Sequence, residues 1–143
     1  MNEDAAPATI LVVDDEPSLL RLLTRVLERQ GYTVLTASDG KQAIDLFDEH
    51  LEAIDGVLLD VVIPPNGIGE VLEHMVSARS DLAVIVSSGD TPGAAVSERL
   101  EAHGGAFLRK PFLPKAMLKL IESELQARHP AGYSGRSGKG SGA

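Results

Sequence analysis

The stretch Asp55-Gly56-Val57-Leu58-Leu59-Asp60 most restricts what this chain can fold into. Its apolar run, Val57 to Leu59, ends on a carboxylate, and a turn follows through Pro64, Pro65, Asn66 and Gly67. A run this short, β-branched at its start and with turn chemistry on both sides, reads as a strand buried on both faces. Asp60 cannot belong to that core, because an isolated buried carboxylate costs several kcal/mol or more. It must sit at the strand's carboxyl end, where the backbone leaves the sheet. In open α/β sheets that edge is where ligands bind.

Four further segments repeat the theme. Thr9-Ile10-Leu11-Val12-Val13 is a doubly buried strand running into Asp14-Asp15-Glu16, and Thr33 to Ala37 is a further strand. Leu82 to Val86 ends at Ser87-Ser88-Gly89-Asp90, and Ala106 to Arg109 ends at Lys110-Pro111. Helical spacing fills the gaps. Pro17 suits a first helical turn, with the acidic Glu16 before it as cap, and Leu19, Leu20, Leu22, Leu23, Val26 and Leu27 recur up to Gly31. Residues 41–51 place Ala43, Ile44, Phe47 and Leu51 on one helical face, and residues 68–78 do the same with Val71, Leu72, Met75 and Val76. Residues 91–103 have a thin apolar stripe and open on Pro92-Gly93, which makes them the most mobile helix. The last helix, residues 113–127, turns Met117, Leu118, Ile121 and Leu125 inward. Strands alternating with helices in this way predict an α/β fold, a doubly wound, five-stranded parallel sheet with five helices. Right-handed crossovers then bring every strand's carboxyl end to one edge.

The expected organisation is a disordered leader at 1–8, one folded domain at 9–128 and a flexible Gly/Ser-rich tail at 129–143. The tail is either a native linker or an appended remnant. No separate output domain fits in the remaining residues. A net charge of −8 argues against direct contact with nucleic acid or an anionic membrane. No apolar run approaches the roughly 20 residues that span a bilayer, and no signal peptide is visible. A cytoplasmic location follows as an expectation, which the absence of cysteine weakly supports.

Reading only the strand ends gives Asp14, Asp15, Asp60, Ser87 and Lys110. Converging carboxylates raise each other's pKa, and a hard divalent cation such as Mg²⁺ removes that conflict. Ser87 adds a hydroxyl and Lys110 a compact positive charge. Metal, ammonium and hydroxyl around one carboxylate make a place where Asp60 can attack phosphorus and carry an acyl phosphate. Ser88 competes with Ser87 for this part, but strand parity and the following Gly89 favour Ser87.

The chain resembles a response-regulator receiver domain of two-component signalling, of the chemotaxis-regulator-like superfamily. The matching pieces are Ile10 to Pro17, Leu58-Leu59-Asp60 with Pro64, Ser87-Ser88-Gly89, and Phe107-Leu108-Arg109-Lys110-Pro111-Phe112. Each is weak alone, while the ordered set is specific and covers about residues 10–127. The resemblance implies a flavodoxin-like receiver fold with strand order 2-1-3-4-5. It makes Asp60 the phosphoacceptor for a histidine kinase or a histidine phosphotransfer protein. Asp15 becomes a direct Mg²⁺ ligand beside Asp60, Asp14 a mostly water-mediated one, and the Val62 carbonyl completes the protein's ligands. Lys110 pairs with the phosphoryl group, and the Lys110–Pro111 bond is cis. Ser87 moves toward the phosphoryl group and Phe107 follows it inward, although Phe107 also fits a plain core or edge aromatic. Signalling then passes through the face built from the fourth helix, fifth strand and fifth helix, with phosphorylation-dependent homodimer formation as one route.

Some residues depart from the family's pattern. Ile63-Pro64 stands where Met-Pro is usual, and Asn66-Gly67 replaces Asp-Gly in a slightly shorter loop. Val62 and Gly89 have no polar side chain to orient a hydrolytic water, which implies a long-lived phosphoryl group. Two other classes compete: a constitutive interaction module, and an enzyme, a phosphotransferase or phosphatase working through an aspartyl phosphate. The intact set Asp14, Asp15, Asp60 and Lys110 argues against the first, and the lack of a lid or substrate-binding insertion against the second. His50, His74, His103 and His129 share no ligand spacing and are expected at the surface.

Overall fold

The computed structural model describes residues 7–63 and 67–128. The leader before residue 7, the turn at Pro64, Pro65 and Asn66, and the tail from residue 129 lie outside the described residues. Five strands and five helices alternate: β1 (Thr9–Val13), α1 (Pro17–Arg29), β2 (Thr33–Ala37), α2 (Gly40–Glu49), β3 (Ile54–Asp60), α3 (Gly69–Ala78), β4 (Ala83–Ser88), α4 (Ala94–His103), β5 (Ala106–Arg109) and α5 (Pro114–Arg128). All strand pairs are parallel, in the order β2-β1-β3-β4-β5. The doubly wound parallel sheet is the one that the alternation predicts, and its strand order is the flavodoxin-like one that the resemblance implies. None of the described helices is long and apolar enough to cross a membrane.

Side-chain alternation along the strands splits the core in two. Ile10, Val12, Leu58, Ile85 and Leu108 face α1 and α5, meeting Leu23, Leu27, Met117, Ile121 and Leu125. Leu11, Val13, Leu59, Val84 and Val86 face the other way, toward Phe47 of α2, Leu72 and Met75 of α3 and Leu100 of α4. Both faces of the sheet are therefore dry at its centre, which is why β1, β3 and β4 read as unbroken apolar runs, while the edge strands β2 and β5 keep exposed residues such as Thr33, Thr36 and Arg109.

Local chemistry sets the helix ends, with corrections to the sequence reading. Asp39 caps α2, its side chain accepting the Gln42 N–H at 2.7 Å. Glu16 precedes Pro17 but makes no capping bond; the Asp14 carboxylate takes the Glu16 N–H instead, at 3.0 Å. Leu22, counted in the apolar stripe of α1, is 46% exposed. The fourth helix starts at Ala94 rather than at Thr91. It buries only Leu100, as its thin stripe implies, and Arg99 pairs with Glu73 of α3 at 2.6 Å. Gly104 ends α4 in the left-handed region at φ 86°, where a side chain would also press on the Arg128 guanidinium.

His103 is a further correction. It is partly buried rather than a surface residue, and its Nε2 lies 2.7 Å from the Leu82 carbonyl oxygen. A carbonyl only accepts, so Nε2 carries the proton that is donated. The Arg128 guanidinium donates to the His103 and Ser80 carbonyls, tying the ends of α4 and α5 together. Burial lowers the His103 pKa below its ordinary 6.5; the Leu82 bond opposes this, while the charges of Arg128 and Arg99 add to it and that of Asp81 opposes it. A lowered value means that the unfolded chain binds the extra proton more readily. The contribution of His103 is then complete above pH 6.5 and is lost as pH falls through the lowered value. Urea unfolding of wild type and His103→Gln at several pH values between 7 and 5 is expected to show a shallower pH slope in the variant. The difference should amount to at most about 1 kcal/mol, given solvent screening.

Candidate phosphoryl-acceptor site

Strand order brings the polar residues together. The chain winds from β1 to β2 on one side and on to β3 on the other, so the carboxyl ends of β1 and β3 flank the point where the winding reverses. Continuing the alternation of the α1–α5 face past each apolar run gives Asp14 after Val12, Asp60 after Leu58, Ser87 after Ile85 and Lys110 after Leu108. One face of the sheet thus turns from hydrocarbon to charge at its upper edge.

The Lys110 ammonium donates to Asp14 Oδ2 at 2.7 Å and lies 3.4 Å from Asp60 Oδ2. Asp60 Oδ1 accepts the Val62 N–H at 3.2 Å. Asp14 and Asp60 are 3% and 6% exposed, whereas Asp15 is open to solvent. Asp60 is therefore buried, against the expectation that it stands clear of the core. The expectation concerned an isolated carboxylate, and this one is not isolated. Burial still wins over its partners: it holds the Asp60 carboxyl above the ordinary 3.8, against the Val62 N–H and the Lys110 charge, with Asp14 adding repulsion. Burial also works against the Lys110 ammonium, but the hydrogen bond and charge of Asp14, then those of Asp60, raise it above 10.5.

Ser87 stands in register with Asp60, and its carbonyl accepts the Val61 N–H at 2.9 Å. The neighbouring Ser88 has other work: its hydroxyl accepts the Asp90 N–H at 3.1 Å and its carbonyl accepts the Lys110 N–H at 2.8 Å. The Lys110–Pro111 peptide bond is cis. Phe107 pairs with Val86, on the α4 side of the sheet, and is 37% exposed. Val62 is 69% exposed at the rim. The edge therefore gathers all the strand-end residues singled out in the sequence, with Phe107 on the opposite face. The Arg99–Glu73 link that holds α4 to α3 was not read from the sequence, because partners this distant leave no local signal.

One oxygen each from Asp14, Asp15 and Asp60 lies within 4.8 Å of the others, making a group that could hold a metal ion. One ammonium does not balance three carboxylates, and every donor in the group is a hard oxygen. A divalent cation of the Mg²⁺ class fits that set.

Residues 10–122 match the family described as the response regulator receiver domain, and the chain belongs to that family. It is 35% identical over 134 residues to the response regulator MprA of Mycolicibacterium vanbaalenii, covering 92% of this chain and 56% of that protein. Among solved structures it is similar to a response regulator receiver domain protein from Clostridium thermocellum, with a TM-score of 0.78 and 27% identity over 85% of this chain and 96% of that one. The receiver domain of the hybrid histidine kinase CckA is similar at a TM-score of 0.71, with 28% identity over 83% and 100% of the two chains. The chain spans about half the length of the curated relatives it matches.

A raised carboxylate pKa means that the Asp60 charge costs stability as pH rises from 3.8 through the raised value, and remains a fixed cost above it. In metal-free buffer at pH 7, Asp60→Asn is expected to melt higher than wild type by a few degrees. The gap should close as pH falls toward 4, and calorimetry across that range checks it.

Proposed function

We propose that the chain accepts a phosphoryl group on Asp60 from a histidine kinase or a histidine phosphotransfer protein, in the cytoplasm. The observation that carries this reading is the Asp60 carboxylate, set at a strand end between the Lys110 ammonium and the oxygens of Asp14 and Asp15. An Asp60 oxygen forms a bond to phosphorus as the phosphorus–nitrogen bond of the donor histidine breaks. Proximity and charge stabilisation do most of this work, since phosphoryl transfer needs little covalent help from the protein.

Asp15, Asp60 and the Val62 carbonyl, with Asp14 mostly through water, would hold Mg²⁺, which when bound would neutralise charge on the transferring oxygens. The Lys110 ammonium turns from Asp60 to a phosphoryl oxygen, keeping Asp14 as its second partner. The Ser87 hydroxyl donates to another phosphoryl oxygen. Phe107, half exposed beside α4, follows the vacated space inward. The face of α4, β5 and α5 then carries the signal, which suits a helix that buries only Leu100. Self-association through that face, or a protein partner there, reads the state. The chain is thus a signalling switch whose only catalysis is of its own phosphorylation and dephosphorylation.

Intact mass after incubation with Mg²⁺ and acetyl phosphate tests the reading. Wild type is expected to gain one phosphoryl group, with none on Asp60→Asn or in EDTA. An unmodified wild type across several donors would leave a constitutive interaction module as the better account. Neither Val62 nor Gly89 can orient a hydrolytic water, so the adduct is expected to persist for many minutes. A half-life of seconds in purified protein would contradict that.

A further inference from the structure

We infer that the groove between α1 and the open edge of β2 is a docking site for an acidic, extended protein segment that adds to the sheet beside β2. This goes beyond phosphoryl transfer and uses none of its residues. Three observations carry it.

Among the described residues β2 is an edge strand paired only with β1, and it keeps an unshifted register along its whole length. Its sequence, Thr33-Val34-Leu35-Thr36-Ala37, has no charge, no proline and no bulge, so it lacks the devices that normally blunt an edge. The opposite edge, β5, is shorter and ends on Arg109 and Lys110. Both edges leave a row of backbone donors and acceptors open, the longer and uncharged one on β2, and an extended chain satisfies such a row by strand addition.

Beside that edge lies a groove of about 300 Å³ lined by Leu20, Arg21, Thr24, Arg25, Glu28 and Thr36. Arg21 and Arg25 are exposed and, among the described residues, neither has an ion-pair partner, in a chain of net charge −8. Two unpaired guanidiniums in a groove shared with Leu20 and two threonines select carboxylates; Glu28 is the one opposing charge in the groove.

The other side of β2 sets the pattern. Thr36 shares the α1 face with Val12, and α2 packs on the opposite face, where Asp39, Asp45 and Glu49 share one surface with Lys41, which pairs with Asp45 at 2.9 Å and leaves the surface net negative. Successive residues of an added strand point alternately to the two faces. Acidic side chains are therefore accepted at every second position, facing Arg21 and Arg25, and are repelled at the positions between. Nucleic acid satisfies neither the backbone edge nor the overall charge.

The probe is a short synthetic peptide alternating glutamate and valine, measured by fluorescence polarisation with backbone amide exchange as a second readout. Wild type is expected to bind it, with slowed exchange across Thr33–Ala37 and weakening as salt rises. Arg21→Glu with Arg25→Glu is expected to lose roughly tenfold or more in affinity while still forming the acetyl-phosphate adduct, which shows that the variant is folded. Absence of binding to wild type overturns the proposal. So does binding that leaves exchange in β2 unchanged, or equal binding of a lysine–valine peptide. None of these outcomes depends on Asp60, so failure here is distinct from failure of the phosphoacceptor reading.

Discussion

The hydrogen bond from the Lys110 ammonium to Asp14, with Asp60 a little further off, is the constraint on which the working edge of this molecule depends. Two carboxylates that are almost entirely buried cannot both stay charged in an apolar surround without a counter-charge. Lys110 supplies that charge from the end of β5, and the Lys110 N–H bond to the Ser88 carbonyl fixes the height from which its side chain reaches. The compensation is incomplete: burial still raises the Asp60 pKa. A site left short of positive charge is prepared to accept more of it, which is the physical basis for proposing a cation there.

Stability is unevenly spread around that edge. The sheet's two dry faces are each covered by helices with several buried apolar residues, except where α4 lies. That helix buries only Leu100, packs Val96 partly against the same core, and is otherwise held by polar links, Arg99 to Glu73, His103 to the Leu82 carbonyl and Arg128 to the His103 carbonyl. Polar links at a surface are worth less than buried hydrocarbon, so α4 can shift without opening the core. The proposed signalling face includes this weakly attached helix. The same logic applies at β2, where an edge without charge or proline leaves backbone groups for a partner rather than for the core.

Much of this was legible in the sequence because the signals are local. Short apolar or β-branched runs mark the strands, and β1, β2 and β5 have the bounds read from Thr9–Val13, Thr33–Ala37 and Ala106–Arg109. Helical periodicity likewise picked out Phe47, Leu72, Met75 and Ile121 as core. Boundaries were blurred where local cues conflict. Strand β3 begins at Ile54, before the Gly56 that reads as a turn residue, and β4 runs on through Ser87 and Ser88 because strand pairing outweighs their polarity. Glu16 was read as a cap from its position alone, while the Asp14 side chain was better placed to take the Glu16 N–H.

By itself, then, the sequence determined the fold class, the two-sided burial of the sheet and the polar residues at each strand's end. Those follow from side-chain period and from the cost of burying a charge, and neither needs long-range information. Only the tertiary structure decided which of these residues meet. Lys110 and Asp14 are 96 positions apart, and their contact depends on β3 and β4 lying between β1 and β5. The burial of Asp60 and His103 was decided in the same way, because whether a polar group stays in water depends on which elements close over it. A residue's own neighbours in the chain carry no record of that.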